Sequence, residues 1–244
     1  MEGYIDIHNH ILPGLDDGPA TLQEAVEMAR VARKNAITEI IASPHHNECN
    51  HPSRNEILAM LELLRSALKK TDMPIIKIYP GNELRISLDL PEKLKAGEVL
   101  PLAESSYVLL EFPFEGTPFY AEEIIFRLRV DGWIPILAHP ERIYDIQRNP
   151  ERLGRFIDMG CMAQVNSNSV TGELGRASLE TAIKLLKRGW VDIMATDAHA
   201  PHNRAPDFTG ALKVAAKIVG RQAAQRLVYD NPGNIFTIEK RSSI

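Results

Sequence analysis

Short apolar runs alternate along the chain with longer segments in which apolar residues recur at helical spacing. The short runs are typical of buried strands, and they lie near residues 4–8, 38–43, 75–80, 106–111, 133–138, 161–166 and 191–196. The longer segments predict amphipathic helices, near residues 22–32, 57–68, 119–131, 149–159, 173–188 and 208–228. Because strands and helices take turns along the chain, the sequence predicts an α/β fold with a parallel sheet.

Residues that can bind metal lie at or near the ends of these predicted strands. They are Asp6, His8, His10, His45, His46, Glu83, Glu111, His139, Asp197 and His199. All eight histidines of the chain lie at a predicted strand end or in the loop after one, and none lies on a predicted helix. Chemistry at the C-terminal ends of successive strands is the arrangement of a β/α barrel. Only the strand at 161–166 lacks a candidate, so we expect a closed or nearly closed barrel and not an open sheet.

The first predicted strand carries three of these residues at alternate positions. Side chains alternate between faces along a strand, so Asp6, His8 and His10 should project together and both imidazoles could reach one ion. Asp6 could then fix the imidazole tautomers, or it could instead bond to neighbouring strands. Imidazole and carboxylate ligands without thiolate suit manganese, iron or zinc. The pattern favours a multi-metal enzyme.

Composition narrows the function further. A chain of 244 residues with 44% apolar content can form one large core, so we expect a single domain. The net charge of −4 gives no basic field for nucleic acid. Two cysteines form neither a metal-ligand pair nor a disulfide framework, which suits a reducing compartment. No signal peptide or membrane-spanning run is visible, so we expect a cytoplasmic protein without membrane insertion.

Seven motifs follow one another in order between residue 4 and about residue 204. They are Asp6-Ile7-His8-Asn9-His10-Ile11-Leu12-Pro13, Asp16-Asp17-Gly18, Ser43-Pro44-His45, Gly81-Asn82-Glu83, Leu110-Glu111-Phe112-Pro113, Ala138-His139-Pro140-Glu141-Arg142 and Thr196-Asp197-Ala198-His199. This series resembles the polymerase and histidinol phosphatase (PHP) superfamily. More narrowly, the chain resembles the bacterial manganese-dependent tyrosine-protein phosphatases of capsular and exopolysaccharide gene clusters. The Asp-Asp-Gly, Glu-Phe-Pro and His-Pro-Glu-Arg motifs carry this narrower resemblance.

The resemblance implies a distorted, TIM-like (β/α)7 barrel, formed by one PHP-type metallophosphatase domain over residues 1–244. It implies two or three divalent ions, with Mn²⁺ favoured over iron or zinc. The implied ligands are His8, His10, Asp17, His45, Glu83, Glu111, His139, Asp197 and His199. Asp17 is chosen because it directly precedes Gly18, and Asp16 remains an alternative. Arg142 and Arg204 match phosphate-binding positions of the family, and a guanidinium can bind phosphate through two hydrogen bonds.

The function that the resemblance implies is hydrolysis of phosphotyrosine on a bacterial tyrosine autokinase that regulates capsular or exopolysaccharide production. A small-molecule phosphatase, such as a histidinol phosphatase, and a non-catalytic metal-binding scaffold remain alternatives. Cysteine phosphatases need an arginine six positions after the nucleophile, but Asn55 follows Cys49 and Ser167 follows Cys161 at that spacing. The Gly-x-Ser-x-Gly elbow of serine hydrolases is also absent from the sequence.

Aromatic residues follow Glu111 and could flank the phenyl ring of such a substrate. They are Phe112, Phe114, Phe119 and Tyr120. An equally weighted alternative is that they anchor an ordinary loop. His46 matches no family position, and we place it at the rim of the site or in contact with the substrate.

Overall fold

Parallel strands organise the chain in the computed structural model, which describes residues 3–237. Within that range the strands are β1 (Tyr4–Asn9), β2 (Ile37–Ala42), β3 (His45–His46), β4 (Lys77–Pro80), β5 (Glu83–Arg85), β6 (Tyr107–Glu111), β7 (Ile134–Ala138), β8 (Met162–Asn166) and β9 (Ile193–Ala195). One sheet has the order β1-β2-β4 and the other β3-β5-β6-β7-β8-β9. Every pairing is parallel, which confirms the predicted α/β class.

Two short interruptions carry the chain from the first sheet into the second. Ser43-Pro44 separates β2 from β3, and Gly81-Asn82 separates β4 from β5. Pro44 has no backbone N–H for a sheet ladder, but its carbonyl accepts a hydrogen bond from the N–H of Glu83 at 3.1 Å. A parallel bridge between Asn9 and Ala198 also joins β1 to the segment after β9. The C-terminal ends of the strands in both sheets therefore lie at the same edge of the fold.

Each of the seven predicted strands corresponds to an observed strand. The short strands β3 and β5 were not predicted, because their sequences, His45–His46 and Glu83–Arg85, are too polar and too short for an apolar pattern to reveal. In register, His45 pairs with Glu83 and Arg85 pairs with Glu111. These two missed strands therefore set three predicted metal-binding residues beside one another.

Helices lie between the strands. Those described are α1 (Leu22–Lys34), α2 (Arg54–Leu68), α3 (Leu90–Ala96), α4 (Ala121–Val130), α5 (Tyr144–Arg148), α6 (Glu151–Asp158), α7 (Ser167–Thr171), α8 (Arg176–Lys187), α9 (Thr209–Val219), α10 (Arg221–Arg226) and α11 (Asp230–Gly233). Capping boxes begin α1 and α2, at Thr21 and Ser53. The helix predicted at 208–228 is divided at Gly220, whose φ of 86° ends α9. No helix in residues 3–237 is sufficiently long and apolar to cross a membrane.

Two apolar clusters fill the fold. The smaller one contains Ile5 and Ile41 from the first sheet and Leu109, Ile136 and Ile193 from the second. Since it draws on strands of both sheets, it lies between them. The larger cluster packs the other strand faces against the helices, and buried residues of α1, α2, α4 and α8 belong to it. Because the strand faces are covered by apolar packing, the candidate functional residues lie at the polar ends of the strands.

Candidate metal centre

The structure brings all nine predicted ligands together at the C-terminal ends of the strands. They form four groups whose donor atoms lie within 4.8 Å of one another. The groups are His10, Asp17, His45 and His199; His8, His10 and Asp197; His8, Glu83 and His139; and His45, Glu83 and Glu111. Because four residues each belong to two groups, the groups describe adjoining cation positions and not separate sites.

Several donor atoms of this cluster are buried without a hydrogen bond of ordinary geometry. They are His45 Nδ1, Glu83 Oε2, Glu111 Oε2 and His199 Nε2. His45 Nδ1 nevertheless lies 2.8 Å from Glu83 Oε2, and His199 Nε2 lies 3.2 Å from Asp17 Oδ1. Buried polar groups are otherwise almost always hydrogen-bonded. Potential ligand atoms that lie this close without a hydrogen bond of ordinary geometry fit a cation shared between them. Nitrogen and carboxylate oxygen ligands suit a divalent metal.

The charges of the cluster also fit bound cations. Burial alone would raise the pKa of Glu83, but His8, His139 and His45 hold it well below its usual range. Burial likewise opposes charge on His8, yet Glu83 and Asp197 raise its pKa to about 8. Carboxylates this deeply buried need positive charge beside them. Without metal, His8, His10 and His45, whose pKa values are raised by neighbouring carboxylates, supply that charge as protons, and metal binding would displace those protons.

The two adjacent aspartates in the turn after β1 lie in different places relative to the cluster. Asp17 Oδ1 lies 3.2 Å from His199 Nε2 and 3.6 Å from His45 Nε2, so Asp17 joins the cluster. Asp16 lies behind it, where its Oδ2 accepts a 2.6 Å hydrogen bond from His10 Nδ1. That bond leaves His10 Nε2 free for a cation. Asp17 therefore fits the ligand position, and Asp16 supports His10.

Asp6 does not support the histidines of its own strand. Its carboxylate accepts hydrogen bonds from the Thr196 hydroxyl, from the Thr196 N–H at 2.9 Å and from Asn9 Nδ2 at 2.8 Å. Of the two roles considered for Asp6, the structure shows hydrogen bonding to a neighbouring strand, at the residue directly after β9. His46 belongs to none of the four donor groups among the described residues.

Both predicted phosphate-binding arginines meet at one oxygen atom on the rim of the cluster. Arg204 Nη2 lies 2.8 Å from Asp197 Oδ2, and Arg142 Nη1 donates to the same oxygen at 3.2 Å. The other oxygen, Oδ1, faces His8 at 3.3 Å and His10 at 3.4 Å. Asp197 therefore connects the donor cluster to a pair of adjoining guanidinium groups. Such a pair provides several N–H donors for an anion beside the cations.

Backbone strain concentrates at the same place. His139, Asp197 and Arg204 have φ values of 36°, 52° and 52°, in a left-handed region that non-glycine residues rarely adopt. Such conformations cost of order 1–3 kcal/mol each and persist where surrounding structure imposes them. The strained backbone at these three residues occurs where their side chains meet the donor cluster or Asp197.

A chain of buried amides from β8 holds two of the predicted ligands, although sequence analysis found no candidate on this strand. Gln164 Oε1 accepts from His8 Nδ1 at 2.9 Å, and Gln164 Nε2 donates to Asn166 Oδ1 at 2.9 Å. Asn166 Nδ2 then donates to Asp197 Oδ2 at 2.7 Å. An ionised Asp197 can only accept hydrogen bonds, so the donor and the acceptor of each hydrogen bond in this series are fixed. Gln164 therefore keeps the remaining proton of neutral His8 on Nδ1, so that the lone pair of Nε2 faces the cluster once a metal displaces the Nε2 proton.

We predict that Gln164→Met lowers metal affinity roughly 10- to 100-fold, the usual effect of losing a partner that orients a ligand. The methionine fills a similar volume but cannot accept the proton of His8 Nδ1. Competition with a chelator would measure this affinity, and a thermal melt would check the fold. Unchanged affinity would show that Gln164 only fills space.

Two further residues at this edge escaped prediction. Glu141 is buried, and burial raises the pKa of its carboxyl to about 7. Its Oε1 accepts the N–H of Asn166 at 3.0 Å, which ties the loop carrying His139 and Arg142 to β8. Arg85 Nη2 lies 3.3 Å from Glu111 Oε2, and its charge opposes the burial and the Glu83 charge that raise the pKa of Glu111 to about 7. Arg85 lies two residues after Glu83 on β5, so both side chains share one strand face. Because the sequence pattern did not reveal this strand, it gave no signal for Arg85.

A model of the capsular polysaccharide synthesis family, CpsB/CapC, matches residues 4–237. The chain belongs to this family. It is 37% identical over 221 residues to the tyrosine-protein phosphatase YwqE of Bacillus subtilis, covering 89% of this chain and 86% of that protein. It is 30% identical over 237 residues to the tyrosine-protein phosphatase CpsB of Streptococcus pneumoniae, covering 95% of this chain and 98% of that protein.

Comparison with solved structures also relates this chain to YwqE and CpsB. A crystal structure from work on Bacillus subtilis YwqE and Streptococcus pneumoniae CpsB, described as unique metal-dependent tyrosine phosphatases, superposes with a TM-score of 0.91. Its sequence identity is 33%, and the match covers 97% of each chain. An amidohydrolase from Mycoplasma synoviae shares only 10% identity with a TM-score of 0.63, over 99% of this chain and 90% of its own. That likeness concerns the fold alone. The predicted family relationship is confirmed.

Proposed function

We propose that this protein is a metal-dependent protein-tyrosine phosphatase that acts in capsular or exopolysaccharide production. The observation that carries the proposal is the meeting of Arg142 and Arg204 at Asp197 Oδ2, on the edge of a cluster of nine potential metal ligands. Cation positions beside two guanidinium groups suit a phosphoryl group, whose charge both can neutralise. The named activities of YwqE and CpsB support the same function.

The architecture that we infer is a single PHP-type domain over residues 1–244, folded as a distorted (β/α)7 barrel. The interrupted strands β2–β3 and β4–β5 each count as one barrel strand in this interpretation. The Asn9–Ala198 bridge then closes the ring between its first and last strands. Residues 1–2 and 238–244 of the inferred domain lie outside the described residues.

We further propose that the nine clustered residues bind two or three divalent cations, with Mn²⁺ as the working ion and iron or zinc as alternatives. Bound cations would polarise the phosphoryl oxygens and lower the pKa of water. The protein's own contribution is geometric and electrostatic. Asp16 and Gln164 orient His10 and His8 through their Nδ1 atoms. Arg142 and Arg204 bind the phosphoryl group and stabilise the charge that it develops during transfer.

The proposed substrate is phosphotyrosine in a protein, and the proposed partner is a bacterial tyrosine autokinase. Turnover of a phosphotyrosine peptide and of histidinol phosphate, compared on one preparation, tests the substrate class. The proposal expects the peptide to have the higher kcat/KM. A clear preference for histidinol phosphate would make the protein a small-molecule phosphatase.

We predict that replacing both cysteines with serine leaves catalysis within about twofold of the wild-type rate, because neither thiol belongs to the proposed mechanism. Burial raises the pKa of the Cys161 thiol to about 12, so it stays protonated at neutral pH. Cys49 is exposed and does not belong to the donor cluster. Steady-state kinetics of the double variant Cys49→Ser, Cys161→Ser would check this. A folded but inactive double variant would instead indicate a thiolate nucleophile.

A further inference from the structure

The four aromatic residues after Glu111 have different roles in the fold. Phe112 is fully buried, and its ring packs edge-on against Phe156 with 5.5 Å between centroids. The Tyr120 hydroxyl donates to the carbonyl of Ile86 at 3.3 Å, just before α4. Phe119 is 96% exposed and contacts the ring of Tyr120. Phe112 therefore belongs to the core, Tyr120 anchors a loop, and Phe119 lies on the outer surface.

Phe114 is the one of the four that lies against the candidate site. Its ring centroid is 4.3 Å from Arg142 Cζ and 5.4 Å from the centroid of the His139 ring. The side chain remains 39% exposed, so part of the ring faces solvent beside a proposed phosphate-binding arginine. An exposed apolar ring beside such polar residues fits a binding role better than a packing role.

The loop that carries Phe114 is fastened to the neighbouring loop. The Phe114 carbonyl accepts a 2.9 Å hydrogen bond from the N–H of Tyr144. Thr117 N–H donates to Asp145 Oδ2 at 3.1 Å. At Gly116, a Cβ atom would come within 3.1 Å of the same carboxylate oxygen, so glycine permits this close approach. The backbone that carries the Phe114 side chain is therefore held beside the site before any substrate arrives.

We propose that Phe114 determines specificity for aryl phosphomonoesters by contacting the phenyl ring while Arg142 binds the phosphoryl group. This inference rests on the proposed function. In phosphotyrosine the ester oxygen joins the ring directly to the phosphoryl group, so a bound ring must lie close to Arg142. Alkyl phosphomonoesters, such as phosphoserine, present no aromatic face. Ring pairing of this kind typically contributes a factor of about threefold to tenfold in affinity.

Phosphonates that are not hydrolysed would test the proposal by calorimetric binding to the metal-loaded protein. The probes are phenylphosphonate and methylphosphonate, and the variants are Phe114→Ala, Phe114→Tyr and a control, Phe126→Ala. Phe126 is 62% exposed on α4, so its replacement removes an exposed aromatic ring that the proposal does not use. We expect wild type to prefer phenylphosphonate. Phe114→Ala should lose about threefold to tenfold for that probe alone, whereas Phe114→Tyr and Phe126→Ala keep the preference.

Equal weakening of both probes by Phe114→Ala would overturn the proposal, because Phe114 would then only support Arg142. An unchanged preference, or no binding of either probe to wild type, would overturn it as well. Hydrolysis of a phosphotyrosine peptide, measured on the same preparations, separates this inference from the proposed function. Hydrolysis without a Phe114-dependent preference refutes the specificity role alone. A Phe114-dependent preference without that hydrolysis refutes the tyrosine phosphatase and leaves an aryl phosphate site.

Discussion

Replacing His139 with alanine is expected to remove most phosphatase activity, by more than about 100-fold, and to lower metal content while leaving the fold intact. His139 Nε2 lies 2.9 Å from Glu83 Oε1, and the two residues share a donor group with His8. Removal of the imidazole therefore takes one ligand from a cation position and leaves Glu83 without that partner. Turnover of a phosphotyrosine peptide and elemental analysis of the same sample would measure both effects.

The matched control for this variant is His51→Ala, since His51 is exposed and belongs to none of the four donor groups. It should retain wild-type activity and metal content. Circular dichroism and thermal melting of both variants would confirm that they fold. Wild-type turnover and metal content in His139→Ala would exclude His139 from the metal centre.

Replacing Arg142 or Arg204 with alanine is expected to lower kcat/KM about 10- to 100-fold without loss of metal. This range corresponds to the roughly 1.5–3 kcal/mol contributed by a hydrogen bond to a charged group, if it acts in the transition state. Lysine at either position should restore activity only in part, because a point charge lacks the planar fork of guanidinium. Steady-state kinetics on a phosphotyrosine peptide, with elemental analysis alongside, would measure the outcome.

Arg188→Ala is the control for the arginine variants. Arg188 is 40% exposed, against 22% for Arg142 and 33% for Arg204, and it pairs with Glu151, which belongs to none of the four donor groups. It should show wild-type kinetics. Both arginines also contact Asp197, so a purely structural role predicts loss of metal from the alanine variants. Metal loss would therefore assign them to support of the cluster, and unchanged kinetics would place the phosphate-binding groups elsewhere.

Much of the fold and the candidate site could be predicted because the relevant residues differ in type from their surroundings. Apolar runs marked seven of the nine described strands, and histidines or carboxylates at their ends stood out from the helical segments. Residues such as His45, Glu83 and His199 are far apart in sequence, yet parallel strands bring their ends together. The clustering of the nine residues follows from that topology.

Other parts of the site depend on contacts that no local pattern reveals. Gln164 and Asn166 are common polar residues in a strand, and only the fold shows that they connect His8 to Asp197. Asp16 and Asp17 are adjacent, and the geometry of the turn alone assigns one to His10 and the other to the cluster. The difference between Phe114 and its aromatic neighbours likewise depends on tertiary packing.

The most direct test of a metal-dependent tyrosine phosphatase is the turnover of a phosphotyrosine peptide by metal-stripped protein, before and after Mn²⁺, iron or zinc is restored in turn. Histidinol phosphate serves as the second substrate. The account predicts that the stripped protein is inactive, that a divalent metal restores hydrolysis with Mn²⁺ the most effective, and that the peptide is the better substrate. Full activity of the stripped protein, or restored activity confined to histidinol phosphate, would contradict it.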